Sequence, residues 1–201
     1  MITIVEAAGW PIYFLLIASL VSLSLIVERL LFLRQKNIAP PGLLDETVKA
    51  LRQNGVNPQM LQKLSAGSPL GRVFAAGLRN IKSSPNILKE SIEEAGHATN
   101  HEMGRFLTTL GTIASISPLL GLFGTVVGMI EIFGAQNAGG SNPAELAHGI
   151  SVALYNTAFG LIVAVPSMIF YRHFRAKVDS LTFEMEQLAI KLVEVIHGER
   201  K

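Results

Sequence analysis

The sequence predicts an all-α membrane protein with three transmembrane helices and long cytoplasmic helical extensions. Of its 201 residues, 49% are hydrophobic and only 16% are charged, whereas about 25% are charged in a typical soluble protein. Residues 7–27, 106–130 and 146–171 contain no Asp, Glu, Lys or Arg. Each stretch is longer than the roughly 20 apolar residues that a helix needs to cross a bilayer, so we expect a multi-pass membrane protein.

The distribution of basic residues predicts how the three spans are oriented. Eleven of the 17 lysines and arginines lie in residues 29–105, the other six lie in residues 172–201, and none lies in residues 1–9 or 132–149. Because basic segments stay on the cytoplasmic side, we expect an external N-terminus and a cytoplasmic C-terminus. A signal peptide would carry basic residues before its apolar stretch, and their absence predicts that span one is retained.

Composition and charge together set the expected segment boundaries. The glycines, serine, asparagine and proline of residues 139–143 indicate an exposed external turn. The expected segments are an external N-terminus (1–9), span one (10–33), a cytoplasmic helical domain (34–105), span two (106–133), an external loop (134–148), span three (149–171) and a cytoplasmic C-terminal helix (172–201).

The central domain carries three helix-start signals. Asn57-Pro58, Ser68-Pro69 and Ser84-Pro85 each pair an N-cap residue with a proline at the first helical position. No proline lies between Pro85 and Pro118, so we expect the third helix to run unbroken into span two. After the second signal, apolar or small residues repeat at helical spacing: Leu70, Val73, Phe74, Gly77, Leu78 and Ile81.

Spans two and three differ from span one because each has a face of small residues. Span one has no glycine between Pro11 and Leu33, which suits a helix that faces lipid on most sides. A small face lets membrane helices pack closely, and the alternative is that the two small faces surround a lumen or a foreign helix. These faces consist of Gly111, Ala114, Pro118, Gly121, Thr125 and Gly128 in span two, and of Ala153, Thr157, Gly160, Ala164 and Ser167 in span three.

The repeat of span three continues as an apolar seam in the C-terminal tail. A 3.5-residue repeat of this length predicts one long helix over 150–197 in left-handed helix packing. We expect the seam to hold the cytoplasmic part of an assembly together. Its members are Tyr171, Phe174, Val178, Leu181, Met185, Leu188, Leu192 and Val195.

The helix before span two continues the small face of that span with polar residues, among them Glu93, His97 and Asn100. If the small face lines a lumen, these three residues line its cytoplasmic mouth; otherwise they form a solvated helix face. His97 and His101 stand four residues apart near Glu93, a spacing that permits metal ligation, although we expect ordinary surface residues and no metal.

Several classes of chemistry are absent from the sequence. The chain has no cysteine, which excludes disulfides and thiolate catalysis. It also lacks a Walker loop, a nucleophile elbow and an HExxH motif, so we expect no enzyme, no catalytic residue and no cofactor. With a net charge of only +2 and no run of Lys or Arg, we expect no nucleic-acid partner.

No charged residue lies near the middle of any span. The deepest polar groups are neutral, namely Thr125, Thr157 and Asn156. Proton carriers place ionisable groups inside the membrane, so an assembly of this chain that moves protons needs a carboxylate from another chain. The alternative role for each threonine is a hydrogen bond to its own i−4 carbonyl.

Residues 117–130 (SPLLGLFGTVVGMI) and 149–166 (GISVALYNTAFGLIVAVP) resemble the signature of the MotA/TolQ/ExbB proton-channel family. The tail motifs FEMEQ (183–187) and LVEVIHG (192–198) look most like its ExbB branch. The resemblance implies a pentameric channel of the bacterial inner membrane, with the N-terminus in the periplasm. It implies a single-span ExbD-like partner whose membrane Asp carries the proton, and a TonB-like protein that the complex energises for outer-membrane transport.

The pore threonines of the family fall on Thr125 and Thr157. Family members often have Glu five residues before the second of these, where this chain has Val152, so no role for that Glu carries over. A TolQ-type subunit of the Tol-Pal envelope system and a structural membrane scaffold are the alternatives. With the small faces, the predicted pore-lining set is Thr125, Thr157, Asn156, Gly121, Gly128, Gly160, Ala164 and Pro118.

Overall fold

A computed structural model describes residues 9–135 and 143–196 of the chain. The described residues form an all-α fold, as predicted. Its helices are α1 (Ile12–Phe32), α2 (Gln35–Ile38), α3 (Leu43–Asn54), α4 (Pro58–Gly67), α5 (Pro69–Arg79), α6 (Pro85–Gly104), α7 (Leu107–Ala135) and α8 (Pro143–Ile196). The predicted external N-terminus, the Gly139–Gly140 turn and the end of the tail beyond Ile196 lie largely outside the described residues.

Three helical segments are long and apolar enough to cross a membrane, as predicted: α1, α7 and the first part of α8. The chain divides into two compact units, which we call the span unit and the tail unit. The span unit comprises Met1–Glu28 and Phe106–His173, and the tail unit comprises Arg29–Arg105 and Phe174–Lys201. The three charge-free stretches therefore belong to one unit, and most of the charged residues belong to the other.

The helix starts in the tail unit lie where the sequence predicts them. The Asn57 side chain accepts a hydrogen bond from Met60 N at 2.7 Å, and Ser68 Oγ accepts one from Gly71 N at 3.1 Å. Each bond satisfies an N–H that the first helical turn leaves without a partner. The third start is also at a proline, Pro85, although Ser84 makes no side-chain capping bond.

The prediction that the helix from Pro85 runs unbroken into span two is wrong. Helix α6 ends at Gly104, and α7 begins at Leu107. Between them Arg105 has an extended ψ of 141°, and Phe106 has a φ of +65°. A positive φ is an outlier for a bulky side chain, so the backbone leaves the helical region here without any proline to signal it.

A buried arginine satisfies backbone carbonyls at the end of α6. Arg29 is only 3% exposed, and its Nη1 donates to Met103 O at 3.1 Å and to Glu102 O at 3.5 Å. The last carbonyls of a helix have no partner within the helix and carry partial negative charge. The Arg29 side chain therefore compensates for the interruption of the helix and ties the end of α1 to α6.

The core of the tail unit contains the apolar repeat of α5. Leu70, Phe74 and Leu78 are fully buried, and α5 packs against both α4 and α6. At Gly77 the fit is tight, since an added Cβ would lie 2.8 Å from Ile92 Cδ1 on α6.

The C-terminal seam is buried inside the subunit, so the prediction that it joins subunits is wrong for its central positions. Phe174, Val178, Leu181, Met185 and Leu192 are all buried within the single chain. Burial by the chain's own helices leaves these side chains no surface for a neighbour. The 3.5-residue repeat therefore marks the face of α8 that completes the core of its own subunit.

Truncating the seam should destabilise the subunit. We expect Leu181→Ala to lower the free energy of unfolding by about 2–5 kcal/mol, because it leaves a cavity in the core. Ile190 lies on the same helix and is 51% exposed, so Ile190→Ala should change the free energy by less than about 0.5 kcal/mol. Unfolding in detergent, followed by circular dichroism, would measure both; equal losses would contradict the assigned burial.

Candidate functional site

The small faces of α7 and α8 pack against each other within one subunit, with backbone against backbone. A Cβ added at Gly121 would lie 2.7 Å from Asn156 O, and one added at Gly160 would lie 2.6 Å from Ser117 O. Real Cβ atoms essentially never approach backbone atoms so closely. Glycine is therefore required at both positions for the helices to approach this closely.

The same close contact extends along both helices. A Cβ at Gly124 would lie 2.7 Å from Cγ of Asn156, and one at Gly128 would lie 3.0 Å from Ala153 Cβ. Asn156 is 0% exposed, so its side chain is enclosed at this contact. Gly124 is absent from the predicted small face, although its spacing of three from Gly121 is the sequence signal that indicates it.

The two threonines of the small faces meet at this contact. Thr125 Oγ1 and Thr157 Oγ1 are 2.6 Å apart, which is a direct hydrogen bond. Thr125 Oγ1 also lies 3.2 Å from Gly121 O and 3.3 Å from Ala153 O. The structure thus combines both interpretations of the sequence for Thr125, since its hydroxyl is near its own i−4 carbonyl and near the other threonine.

Each threonine hydroxyl has one proton to donate and two lone pairs that accept. If Thr125 donates to a carbonyl, Thr157 must be the donor in the bond that joins the two hydroxyls. If Thr125 donates to Thr157 instead, the proton of Thr157 is available to another acceptor. Both side chains are half-buried. A water molecule or another polar group can therefore reach the two hydroxyls and form a hydrogen bond in either arrangement.

A second hydroxyl pair joins span one to span three. Ser22 Oγ and Ser167 Oγ are 2.6 Å apart and buried, and Ser167 Oγ also donates to Val163 O at 2.7 Å. Ser167 belongs to the predicted small face of span three, whereas Ser22 is not among the predicted site residues. Ser22 lies on the same side of α1 as Leu15 and Ile26, and only their burial in the structure distinguishes that side.

The predicted pore-lining residues fall into two groups. Gly121, Asn156, Gly160 and Ala164 are buried in the fold of the single subunit, whereas the remaining members of the set are partly exposed. The partly exposed members are Thr125, Thr157, Gly128 and Pro118. A lining role for the set stays a prediction, and the second group is the one with surface to offer a lumen.

The predicted cytoplasmic-mouth residues lie on the exposed side of α6. Glu93, His97 and Asn100 are all exposed, and Asn100 Oδ1 accepts a hydrogen bond from Thr182 Oγ1 of α8 at 3.0 Å. Their exposure fits both a mouth and a solvated face, so their role in a mouth stays a prediction.

The chain is similar to known proteins over most of its length. Residues 65–187 match the model of the MotA/TolQ/ExbB proton channel family. The chain belongs to this family. The matched residues include Thr125, Thr157 and the apolar parts of both of their helices, which confirms the resemblance found in the sequence.

The similar proteins include some that are named ExbB and one that is named TolQ. The chain is 33% identical over 161 residues to a Synechocystis protein named ExbB-like 3, covering 79% of this chain and 77% of the relative. It is 32% identical over 167 residues to biopolymer transport protein exbB1 of Vibrio cholerae, covering 80% and 71%. The Tol-Pal system protein TolQ of Pseudomonas aeruginosa is 29% identical over 161 residues, with 74% and 67% covered.

The glycine contact is open to a direct test. We expect Gly121→Ala to destabilise the protein by about 1–3 kcal/mol, because the new methyl group overlaps the α8 backbone. Gly134 lies on the same helix with nothing within 4 Å of its added Cβ, so Gly134→Ala should leave the unfolding midpoint in detergent unchanged or slightly higher. A destabilisation of the same size in both variants would indicate a general effect of helix glycines.

Proposed function

We propose that this chain is the channel-forming subunit of an inner-membrane motor that uses the proton motive force to energise TonB-dependent outer-membrane transport. The observation that carries the proposal is the Thr125–Thr157 hydrogen bond at 2.6 Å. It brings two neutral hydroxyls together at the backbone contact that the glycines of α7 and α8 keep close. Membership of the proton channel family supports proton movement as the activity.

In this proposal the proton is carried across by a carboxylate of a partner chain. Residues 106–130 contain no Asp, Glu, Lys, Arg or His, and His148 is the one such residue in 146–169. A charged carboxylate in an apolar membrane passage is costly, so it must be neutralised or solvated there. We therefore propose a single-span, ExbD-like partner with a membrane Asp, enclosed by a homo-oligomer of this chain, for which we propose a pentamer.

The threonine pair would solvate that carboxylate at the point of proton exchange. A hydroxyl can donate to the ionised form and accept from the protonated form, so the pair serves both states of an Asp. When Thr125 donates to Thr157, the Thr157 proton can be donated to the carboxylate. The pair can therefore change between donating to the Asp and accepting from it by rotating its hydroxyls, without movement of the backbone. Gly121 and Gly160 support the function by keeping the two helices in register.

Orientation and location follow from charge in the same proposal. The excess of Lys and Arg in 29–105 and 172–201 supports a cytoplasmic tail unit, with the N-terminus and the connection between spans two and three in the periplasm. A TonB-like protein is the proposed recipient of the work. The exposed apolar residues of α1, such as Ile17 and Leu20, suit contact with lipid.

A TolQ-type role in the Tol-Pal envelope system is the second candidate, favoured by the 29% identity to TolQ over 161 residues. The proposed threonine chemistry is the same in both roles. Restoration of siderophore uptake in a strain lacking its ExbB, and of detergent resistance in a strain lacking its TolQ, would separate the two.

Removing one hydroxyl should stop proton movement without disrupting assembly. We expect Thr157→Val, which keeps the shape of the side chain, to reduce proton flux into proteoliposomes of the co-purified complex by about ten-fold or more, which corresponds to about 1.4 kcal/mol in the barrier. Thr157→Ser keeps the hydroxyl and should retain most of the flux.

Thr112 provides the matched control. It lies on α7, is exposed, and donates to Thr108 O at 2.9 Å as an ordinary i−4 bond. Thr112→Val should therefore leave the flux unchanged. If Thr157→Val conducts like the wild type while Thr157→Ser fails, side-chain packing is what matters, and a structural scaffold becomes the better interpretation.

Labelling tests the proposed mouth. The chain has no cysteine, so Glu93→Cys or His97→Cys introduces a single reactive thiol. A bulky thiol reagent should slow proton flux at either position. Gln59 is exposed on α4, and labelled Gln59→Cys should conduct normally. Complete labelling of Glu93→Cys and of His97→Cys without any loss of flux would assign these residues to a solvated face.

A further inference from the structure

The tail unit contains a cavity that the proposed channel function does not use. Its volume is about 340 Å³, and it lies between α4, α5 and α6, near the lower end of the range for sites that bind small ligands. The polar side chains that line it are Ser65, Arg72, Arg79, Thr99 and Glu102.

The lining carries a net positive charge, because two arginines face one glutamate. Arg72 Nη2 pairs with Glu102 Oε2 at 2.5 Å. Arg79 is exposed, and its one side-chain hydrogen bond among the described residues is a long one of 3.4 Å from Nη2 to Ser65 Oγ. Its guanidinium group, with five donors, is therefore largely available to a ligand. The seven-residue spacing places the two arginines on one face of α5, about 10 Å apart along the axis.

The hydroxyl of a largely buried residue, Thr99, also lines the cavity. Thr99 is only 3% exposed, and its hydroxyl makes no hydrogen bond with any residue in the described part of the chain. This hydroxyl can therefore form a hydrogen bond with a ligand oxygen in the cavity.

Alanines create the space around these groups. Ala75 and Ala76 of α5 and Ala95 and Ala98 of α6 line the cavity. Their short side chains leave this space open. Small side chains, the available guanidinium donors of Arg79 and the hydroxyls together suit a compact oxyanion. Arg forms strong bidentate bonds with phosphate.

We propose that this cavity binds a phosphate group, which Arg79 and Arg72 contact through their guanidinium groups and Ser65 and Thr99 through their hydroxyls. The net charge of the lining matches a ligand group with one negative charge. Two sources have this chemistry: free inorganic phosphate or a small phosphate ester, and the headgroup of an anionic lipid. Glu102 lies four residues before Phe106, where the apolar stretch of span two begins, and this closeness in sequence supports a headgroup as one source.

The test uses the full-length protein in nanodiscs of phosphatidylcholine, titrated with inorganic phosphate at constant ionic strength. The thermal unfolding midpoint of the wild type should rise with phosphate and then saturate, as expected for a ligand that binds the folded state. Arg79→Gln should weaken the apparent affinity by at least about ten-fold, because a charge-assisted bond is lost. Arg52→Gln removes an exposed arginine of α3 outside the cavity and should behave like the wild type.

A second variant fills the cavity without touching a charge. Ala98 is exposed at the cavity edge, so Ala98→Leu should fold normally and lose the phosphate response. Ala66→Leu, at an exposed position of α4 outside the lining, is its control. An equal rise in all variants, or no response of the wild type to phosphate in phosphatidylcholine nanodiscs, would overturn the proposal.

Anionic lipid distinguishes the two sources. If a headgroup occupies the cavity, nanodiscs that contain phosphatidylglycerol should raise the midpoint of the wild type and of Arg52→Gln, but not that of Arg79→Gln, and should abolish the response to added phosphate. If the ligand is a free phosphate, the response to phosphate should be the same with and without phosphatidylglycerol. Neither result depends on proton flux, so this test is independent of the channel proposal.

Discussion

The close approach of α7 and α8 at Gly121 and Gly160 is the constraint on which the rest of the span unit depends. At both positions a Cβ would lie less than 3 Å from a backbone oxygen of the other helix. Because lipid tails are as apolar as the helices, packing of this kind is a main source of helix association in membranes. The contact fixes the register of the two helices, and the register brings Thr125 and Thr157 within hydrogen-bond distance.

Two of the polar contacts in the span unit join pairs of hydroxyl groups on different helices. Thr125 meets Thr157, and Ser22 meets Ser167, each at 2.6 Å. A hydroxyl that pairs with another hydroxyl is satisfied without any charge, which keeps the membrane interior apolar. The serine pair is buried and joins α1 to α8, whereas the threonine pair is half-buried. This difference in exposure makes the threonines the pair that an arriving group can reach.

The tail unit is built on different interactions. Three of its helices begin at prolines, two of them after a capping side chain, and arginines make two of its polar contacts. Arg29 closes the carbonyl end of α6, and Arg72 pairs with Glu102 in the last turn of the same helix. Positive charge near the C-terminus of a helix is favourable because the unsatisfied carbonyls are partly negative. Both contacts stabilise α6 where its backbone leaves the helical conformation.

The sequence by itself determined the spans, the helix starts and the small faces, because apolar length, capping residues and periodicity are local properties. It also identified the two threonines of the site. Only the tertiary structure decided what covers each face, since periodicity defines a face but not its partner. The small faces meet each other, the seam through Leu181 closes its own subunit, and Ser22 finds Ser167 across 145 residues. The break at Phe106 is a matter of backbone conformation, which no residue pattern before span two revealed.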